Sequence, residues 1–290
     1  MKNITILGSG IAGLALVRKI RAENLECGIT LIDKDLYYFC PKTIVSNPGD
    51  ISGRKDILSL AKGLKAEFIN AKVEKINPKR KKIYFSALGG KAVEPLSFEN
   101  LVITTGLVSK KLPIKGEHRE GFFYLSEIDS FKLKDLLRVS GEAAVYVSTW
   151  LGIRLARALN YLGKEVKVVS ESFDFLGEDK EAIINELREK NIVLYLNSFI
   201  EEAVGESMIK AIKISPLKVF SSQLLFVDSG FMPNLNFFEE EVISKEKFLT
   251  DFKGIYLLGS VNKQDMVVEE QVENFVNNTL KEEIWQSGLV

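Results

Sequence analysis

Histidine and cysteine are the scarcest reactive side chains in this sequence. Its 290 residues include one histidine, His118, and two cysteines, Cys27 and Cys40. One histidine is too few for a metal site built from several histidines and leaves little scope for a Ser-His-Asp mechanism. The two cysteines are too far apart for a Cys-x-x-Cys motif, which disfavours a disulfide framework and a cysteine-based zinc or iron–sulfur site. We expect a protein without a bound metal.

An excess of charge of either sign is also missing. Lys+Arg and Asp+Glu number 39 each, so no overall field favours nucleic acid or an anionic membrane as a partner. The N-terminus lacks the layout of a signal peptide, and no uninterrupted apolar stretch approaches the roughly 18 residues that span a bilayer. These absences predict a cytoplasmic protein with no nucleic acid partner and no transmembrane segment.

The N-terminal segment carries the pattern of a dinucleotide-binding βαβ unit. Residues 3–8 (NITILG) form a short apolar strand that leads into Gly8-Ser9-Gly10-Ile11-Ala12-Gly13 and an apolar helical run. A second strand, from Gly28 to Ile32, ends on Asp33. Strand, glycine turn, helix, second strand and terminal acid all fall where such a unit requires them. A structural βαβ turn without a ligand is the alternative.

Each residue of this pattern has a physical reason. Gly8 permits the tight turn, Gly10 lets the backbone approach a pyrophosphate, and Gly13 allows close packing of helix against strand. The phosphates would lie at the helix N-terminus, where free amides and the helix dipole favour negative charge. Asp33, 20 residues past Gly13, is placed to accept hydrogen bonds from an adenosine ribose.

Four later segments connect the chain to a family. Residues 100–106 (NLVITTG) end in Thr-Gly, residues 230–234 read GFMPN, residues 253–260 read KGIYLLGS, and residues 38–41 read YFCP. These resemble the "ATG", "GxxPN", "PGIYAAGD" and "YxRP" segments of flavoproteins with two dinucleotide-binding domains. In order and over most of its length, the chain is similar to the FAD-dependent pyridine nucleotide-disulphide oxidoreductases, including rubredoxin reductases, NADH oxidases and type II NADH dehydrogenases.

The resemblance implies an α/β fold with two Rossmann-like, FAD/NAD(P)-binding domains, the second inserted in the first. Residues 1–117 and 245–290 would form a discontinuous FAD-binding domain, and residues 118–244 an NAD(P)-binding-like domain. Val73 would meet the adenine and Pro41 would lie beside the isoalloxazine. The FAD-binding residues implied in this way are Gly8, Gly10, Ile11, Ala12, Gly13, Asp33, Lys34, Pro41, Val73, Thr105, Gly106, Gly259 and Ser260.

The second dinucleotide motif departs from the family. A strand over residues 143–147 is followed by a helical run, but Val147 and Thr149 stand where the first two glycines belong, and only Gly152 remains. β-branched side chains would crowd a pyrophosphate and resist the backbone geometry of the turn. We expect this domain to have lost or altered its nicotinamide site, with Thr149, Gly152 and Glu171 as the residual NAD(P) candidates.

Two further departures concern the flavin. Ser260 replaces the family's aspartate, and serine makes no charge-assisted hydrogen bond to the flavin side, so FAD would be held more loosely; Asp265 is a second candidate for that role. The redox dithiol is absent, Cys40 is expected to be a buried inert thiol, and disulfide reduction is disfavoured. The chain stops where relatives continue into an interface domain, so a partner protein or larger subunit would cover the flavin face.

These features predict an FAD-containing oxidoreductase that passes electrons between NAD(P)H or a redox partner protein and an acceptor that is not a disulfide. The redox chemistry belongs to the isoalloxazine, so no catalytic acid or base is assigned. One alternative is a non-catalytic flavin-binding or scaffold subunit of a larger redox complex that has lost NAD(P)H binding. Another is an NAD-dependent dehydrogenase that uses residues 8–13 for nicotinamide. A homo-oligomer stays open.

Overall fold

A computed structural model describes most of the chain: residues 3–38, 45–50, 54–86, 94–239, 242, 248–262 and 266–285. The polypeptide divides into two compact units. Unit 1 comprises residues 1–38, 54–107 and 233–290, and unit 2 comprises residues 39–53 and 108–232.

The strands in chain order are β1 (Asn3–Leu7), β2 (Gly28–Asp33), β3 (Tyr37–Tyr38), β4 (Lys55–Asp56), β5 (Glu67–Asn70), β6 (Val73–Asn77), β7 (Lys82–Phe85), β8 (Leu96–Ser97), β9 (Asn100–Ile103), β10 (Leu107–Ser109), β11 (Phe122–Tyr124), β12 (Glu142–Val147), β13 (Glu165–Ser170), β14 (Val193–Leu196), β15 (Phe199–Gly205), β16 (Ile209–Ser215), β17 (Lys218–Ser221), β18 (Leu224–Asp228), β19 (Phe231–Pro233) and β20 (Ile255–Leu257).

The α-helices are α1 (Ile11–Ala22), α2 (Ile57–Gly63), α3 (Ser130–Val139), α4 (Trp150–Tyr161), α5 (Lys180–Glu189) and α6 (Val268–Asn274), and a π-helical stretch, Phe275–Trp285, continues from α6. Short 3-10 turns lie at Leu125–Glu127, Asp174–Asp179 and Ser260–Asn262. In the described part of the chain, none of these helices is long and apolar enough to cross a membrane.

Unit 1 is built on a five-stranded parallel sheet in the order β20-β9-β1-β2-β5. Leu7 lies opposite Ile32 on one side and opposite Ile103 on the other. Apolar strands of this kind are typical of a sheet that is covered on both faces. One face packs against α1, α6 and the π-helical stretch, whose buried side chains include Leu16, Val17, Ile20, Val272, Phe275, Val276 and Leu280.

The other face of this sheet shares a second buried cluster with the antiparallel sheet β6-β7-β8. Leu7 and Ile32 from the parallel sheet join Ile76 and Ile83 from the antiparallel one in this cluster. Unit 1 therefore has three layers, with helices on one side of the parallel sheet and a small antiparallel sheet on the other. The carboxyl ends of β1, β2, β9 and β20 meet at one edge.

Unit 2 repeats this architecture. Its parallel sheet has the order β11-β18-β12-β13-β14, and α3, α4 and α5 contribute to the buried cluster on one face. The antiparallel sheet β15-β16-β17 shares the cluster on the other face. The prediction of an α/β protein with two Rossmann-like units, the second inserted in the first, is confirmed.

The borders of the compact units lie elsewhere than the domain borders inferred from the sequence. Besides residues 39–53, which belong to unit 2, the chain passes from unit 1 to unit 2 at residues 107/108 and returns at 232/233. The sequence placed these borders at 117/118 and 244/245, with residues 39–53 in the first domain. Both crossings fall within β10 and β19, which pair with each other as a two-stranded sheet. Two paired strands look like ordinary strand sequence, so the sequence pattern contains no signal for a border there.

Because α1 packs closely on the end of β1 at Gly13, a substitution of Gly13 tests how much this contact matters for stability. A Cβ atom at Gly13 would lie 1.9 Å from the backbone oxygen of Gly8, and a backbone oxygen cannot move aside. Gly13→Ala should lower the free energy of unfolding by about 1–3 kcal/mol or more through overpacking. The measurement is the urea midpoint, followed by circular dichroism.

Gly63 is the matched control because it closes α2 and a Cβ there would meet nothing within 4 Å. Gly63→Ala should raise the free energy of unfolding by about 0.5–1 kcal/mol, the usual gain of alanine over glycine in a helix. Equal midpoints for the two variants would contradict the close contact at Gly13.

Candidate functional site

The turn between β1 and α1 has a backbone that only glycine adopts readily. Gly8 has φ of +111°, in the left-handed half of the map that L side chains avoid. A Cβ atom there would also lie 2.7 Å from the backbone oxygen of Thr104. With Gly13 pressed against Gly8, the turn brings the first residues of α1 directly to the edge where the strands end.

The N-terminus of α1 is open. Gly10 is the N-cap residue and no side chain caps the helix through it. A Cβ atom built on Gly10 would meet nothing within 4 Å, so a small side chain at this position would contact none of the described residues. Ile11 is 41% exposed there, whereas Ala12 is buried. Free helix amides facing an open space form an arrangement that binds anions, phosphate above all.

Asp33 closes β2 beside this turn. One carboxylate oxygen accepts hydrogen bonds from the backbone N–H and the hydroxyl of Ser9, at 2.7 and 2.6 Å. The other oxygen accepts from the N–H of Asp35 at 3.1 Å. A carboxylate offers about four acceptor positions and three are used, so Asp33 keeps about one position for a further hydroxyl donor. The neighbouring Lys34 points to solvent and pairs with Asp35 at 2.8 Å.

The start of β6 lies next to Asp33. The N–H of Ala71 donates to the backbone oxygen of Asp33 at 2.9 Å, and Val73, half-buried, follows two residues later as the first residue of β6. The structure thus brings the implied adenine neighbour Val73 to the same strand end as the implied ribose ligand. Pro41, the residue implied beside the isoalloxazine, lies outside the described residues.

The segments after β9 and β20 complete this edge. Gly259 has φ of +84°, and a Cβ atom there would lie 2.7 Å from the Cβ of Ala12, so the end of β20 touches the first turn of α1. Ser260 is exposed beside it. Thr105 and Gly106 bind Asn234 through a hydroxyl donation of 2.7 Å and a backbone bond of 3.0 Å. The hydroxyl of Thr105 is therefore already used within unit 1.

The N-terminus of α4, at the second motif, is occupied by protein atoms. Thr149 caps α4 by accepting a hydrogen bond from the N–H of Leu151 at 3.1 Å. Asp228, which is 0% exposed, accepts from the N–H groups of Thr149 at 2.8 Å and Gly152 at 3.0 Å. It also accepts from the hydroxyl of Thr149. The carboxylate thus binds amides at the start of α4 from within the protein.

Asp228 is the residue of this site that the sequence analysis missed. Its signal was a charged residue at the end of the apolar run Leu224–Val227, two positions before Gly230. The motif match began at Gly230 and passed over it. From the sequence, Gly152 resembles a remnant of a nucleotide fingerprint, but a Cβ at Gly152 would lie 2.7 Å from the Asp228 carboxylate, so this glycine makes room for Asp228.

Glu171 follows β13 at the mouth of a cavity of about 390 Å³. The cavity is lined by Tyr146, Val147, Ser148, Ser170, Glu171, Ser172, Asp174 and Phe175. The buried hydroxyl of Tyr146 donates to Glu171 at 2.7 Å. Burial and this carboxylate raise the pKa of Tyr146 well above its usual value. Glu171, the acid that the resemblance implies would bind a ribose in the second domain, therefore already accepts a hydrogen bond from a protein hydroxyl.

The described residues offer little material for thiol or metal chemistry. Cys27 is free and buried, and burial raises the pKa of its thiol, which makes the reactive thiolate scarce. Within the same residues, no group of three or more His, Cys, Asp and Glu side chains could hold a metal ion. Cys40 lies outside the described residues.

The raised pKa of Tyr146 predicts a pH effect on stability. The unfolded chain ionises tyrosine near pH 10, while the folded protein keeps Tyr146 neutral, so its contribution is present below pH about 10 and is lost as the pH rises further. Tyr146→Phe should lose about 1 kcal/mol of a hydrogen bond at neutral pH. The difference from the parent should shrink above pH about 10.

Urea midpoints measured across this pH range test the prediction. Tyr161→Phe is the matched control, because the side chain of Tyr161 is 92% exposed, and its difference from the parent should not change with pH. A constant difference for Tyr146→Phe over the same range would contradict the assigned environment of Tyr146.

Comparisons with known proteins place this geometry in a family. The family model described as pyridine nucleotide-disulphide oxidoreductase matches residues 2–279. An NADH oxidase of Enterococcus faecalis is 26% identical over 260 residues, which are 82% of this chain and 57% of that protein. An NADH-rubredoxin oxidoreductase of Clostridium acetobutylicum is 28% identical over 281 residues, 89% of this chain and 67% of that protein.

Among solved structures, a water-forming NADH oxidase from Lactobacillus brevis, bound to NADH, superimposes with a TM-score of 0.79 at 18% identity, covering 96% of this chain and 69% of that one. This likeness supports the two-unit fold. This chain spans about three-fifths of the length of the NADH oxidases that it matches. The family inferred from the ordered motifs is confirmed, and the chain belongs to the pyridine nucleotide-disulphide oxidoreductases.

Proposed function

We propose that this protein holds FAD at the turn between β1 and α1 and acts as a cytoplasmic oxidoreductase. In this proposal, electrons pass between a donor, NAD(P)H or a redox partner protein, and an acceptor that is not a disulfide. The observation that carries the proposal is the open N-terminus of α1, with the carboxylate of Asp33 beside it. Members of this family are enzymes that bind FAD and NAD(P)H.

The residues present fit the phosphate and ribose parts of FAD. The empty space above Gly10 would admit a pyrophosphate, and the N–H groups of Ile11 and Ala12 at the start of α1 would donate to it, aided by the helix dipole. The remaining acceptor position of Asp33 would receive a ribose hydroxyl. Gly8 and Gly13 contribute by shaping the turn rather than by contact.

The remaining implied residues complete the binding site in this proposal. Val73 and Lys34 would lie towards the adenosine end, since both follow strand ends next to Asp33. Thr105 and Gly106 would border the flavin through backbone, and Gly259 would bring Ser260 to the edge of α1. Ser260 would donate or accept a hydrogen bond without the charge that an aspartate supplies, so the affinity for FAD would be lower than a carboxylate allows.

Bound FAD would supply the electron and hydride transfer itself. The work left to this chain is to bind and orient the cofactor and to control which donors and acceptors approach. The buried thiol of Cys27 supports an acceptor other than a disulfide. A redox partner protein is supported by the clostridial relative, which is an NADH-rubredoxin oxidoreductase.

Gly10→Ala tests the phosphate site. The backbone of Gly10 has φ of −71° and ψ of −162°, which alanine adopts without strain, so the fold should be kept. The added methyl group would fill the pyrophosphate space. Losing even one charge-assisted hydrogen bond of about 1.5–3 kcal/mol corresponds to a loss of affinity of at least about tenfold. The measurement is the visible flavin absorbance per protein and the affinity of the apoprotein for FAD.

Gly141→Ala is the matched control, because a Cβ there also meets nothing within 4 Å and Gly141 lies in unit 2. It should keep the flavin. Purified parent protein that is colourless and cannot be reconstituted with FAD would overturn the proposal, as would a Gly10→Ala variant that binds FAD like the parent.

The alternative of a non-catalytic flavin-binding or scaffold subunit is favoured by the occupied N-terminus of α4. Anaerobic titration of the flavin-loaded protein separates the two functions. Reversible bleaching by NADH, NADPH or a reduced rubredoxin supports the oxidoreductase. A bound flavin that none of these donors reduces would favour the scaffold subunit.

A further inference from the structure

Thr104 and Asp228 occupy equivalent positions in the two units. Thr104 directly follows β9, which pairs in parallel with β1, and Asp228 ends β18, which pairs in the same way with β12. A Cβ atom at Gly13 would lie 2.9 Å from the hydroxyl oxygen of Thr104, and one at Gly152 would lie 2.7 Å from a carboxylate oxygen of Asp228. Both side chains therefore reach the same point beneath the first turn of the following helix.

The two side chains bind opposite kinds of backbone group. The hydroxyl of Thr104 donates to the carbonyl oxygens of Leu7 at 3.1 Å and Gly8 at 2.7 Å, which leaves the amides of α1 untouched. Asp228 instead accepts from amides, those of Thr149 and Gly152. A hydroxyl beneath α1 thus keeps its N-terminus free for an external anion, while a carboxylate beneath α4 provides an internal one.

The turn before α1 and the turn before α4 also differ in backbone conformation. Gly8 has left the strand with φ of +111°, whereas its counterpart Val147 is still the last residue of β12. The side chain of Val147 comes within 3.0 Å of a Cβ built on Gly152. Thr149, the counterpart of Gly10, places a side chain where Gly10 has none and caps the N–H of Leu151.

We propose that Asp228 is a built-in anion beneath α4 that excludes NAD(P)H from unit 2. It binds the N–H and the hydroxyl of Thr149 and so holds Thr149 over the N–H of Leu151, the counterpart of Ala12. A dinucleotide would have to displace Thr149 from this N–H and disturb the partners of a fully buried carboxylate, and a buried charge that loses its partners is strongly unfavourable. Its two phosphates would also face a like charge at close range. Near the cavity, Glu171 adds a further carboxylate that opposes the 2′-phosphate of NADPH.

This inference deepens the proposed function, on which it rests for its consequence: electrons reach FAD from a protein partner and not from a nucleotide bound at unit 2. Asp228 is thus the residue that determines donor specificity. This protein thus keeps the βαβ frame of the second domain, and the side chain of Asp228 binds amides at the start of α4.

Calorimetric titration of the flavin-loaded protein with NADH and with NADPH is the first test. Binding should be weaker than a Kd of about 1 mM. A Kd in the range of tens of micromolar with full flavin content would overturn the inference. NADH that binds only the flavin-free protein and is displaced by FAD would place it at the first motif. That result would leave the exclusion from unit 2 standing, whereas NADH that binds the first motif and is not displaced by FAD would count against the proposed function alone.

Exchanging the two side chains provides the second test. Thr104→Asp should transfer the built-in anion to unit 1 and weaken FAD binding at least about tenfold relative to Thr104→Asn, its uncharged isostere, a factor that corresponds to about 1.4 kcal/mol. Circular dichroism should show the same fold for both. Equal affinities for FAD would overturn the assignment of exclusion to the carboxylate.

A third test makes the reverse exchange in unit 2. It therefore does not depend on whether unit 1 folds with a substitution at Thr104. The variant V147G/T149G/D228T should bind NADH at least about tenfold more tightly than V147G/T149G, which keeps Asp228, a difference of about 1.4 kcal/mol or more. Because the two variants share the opened turn, their difference isolates Asp228. Equal binding of NADH by both would overturn the proposal.

Discussion

The unpaired amide groups at the N-terminus of a helix are the interaction on which the chemistry of both units depends. The first N–H groups of any helix have no partner within the helix and must find one outside it, and the helix dipole makes an anion the best partner. In unit 1 this demand is left open above Gly10. In unit 2 it is met within the chain by Thr149 and Asp228. One architecture, repeated, thus yields one open helix N-terminus and one that is bound by side chains of the protein itself.

Glycine plays different parts in these two solutions. At α1, Gly8 supplies a backbone conformation, Gly13 supplies contact, and Gly10 supplies empty space. At α4, Gly152 supplies room for the carboxylate of Asp228 instead. A glycine retained from a dinucleotide fingerprint therefore does not show that a nucleotide still binds. A missing side chain can make room for an external phosphate or for a carboxylate of the protein itself.

The pattern of the sequence predicted much of the first site. Alternating apolar strands, the glycine spacing and Asp33 all derive from local periodicity and from contacts within one βαβ unit, so they are visible within about 30 residues. The ordered later motifs gave the family for the same reason. The unit borders at 107/108 and 232/233 had no comparable signal, since the chain crosses between units within paired strands.

The sequence by itself determined the α/β class, the open turn at Gly8–Gly13 and the loss of two glycines at the second motif. These follow from residue spacing and from what a β-branched side chain does to its own backbone. Only the tertiary structure decided which group binds the amides at the start of α4. Asp228 lies 76 residues from Gly152, and parallel pairing of β18 with β12 alone brings its carboxylate beneath α4. The sequence does not reveal a contact between residues so far apart, because the order of the strands in the sheet depends on the packing of the whole unit.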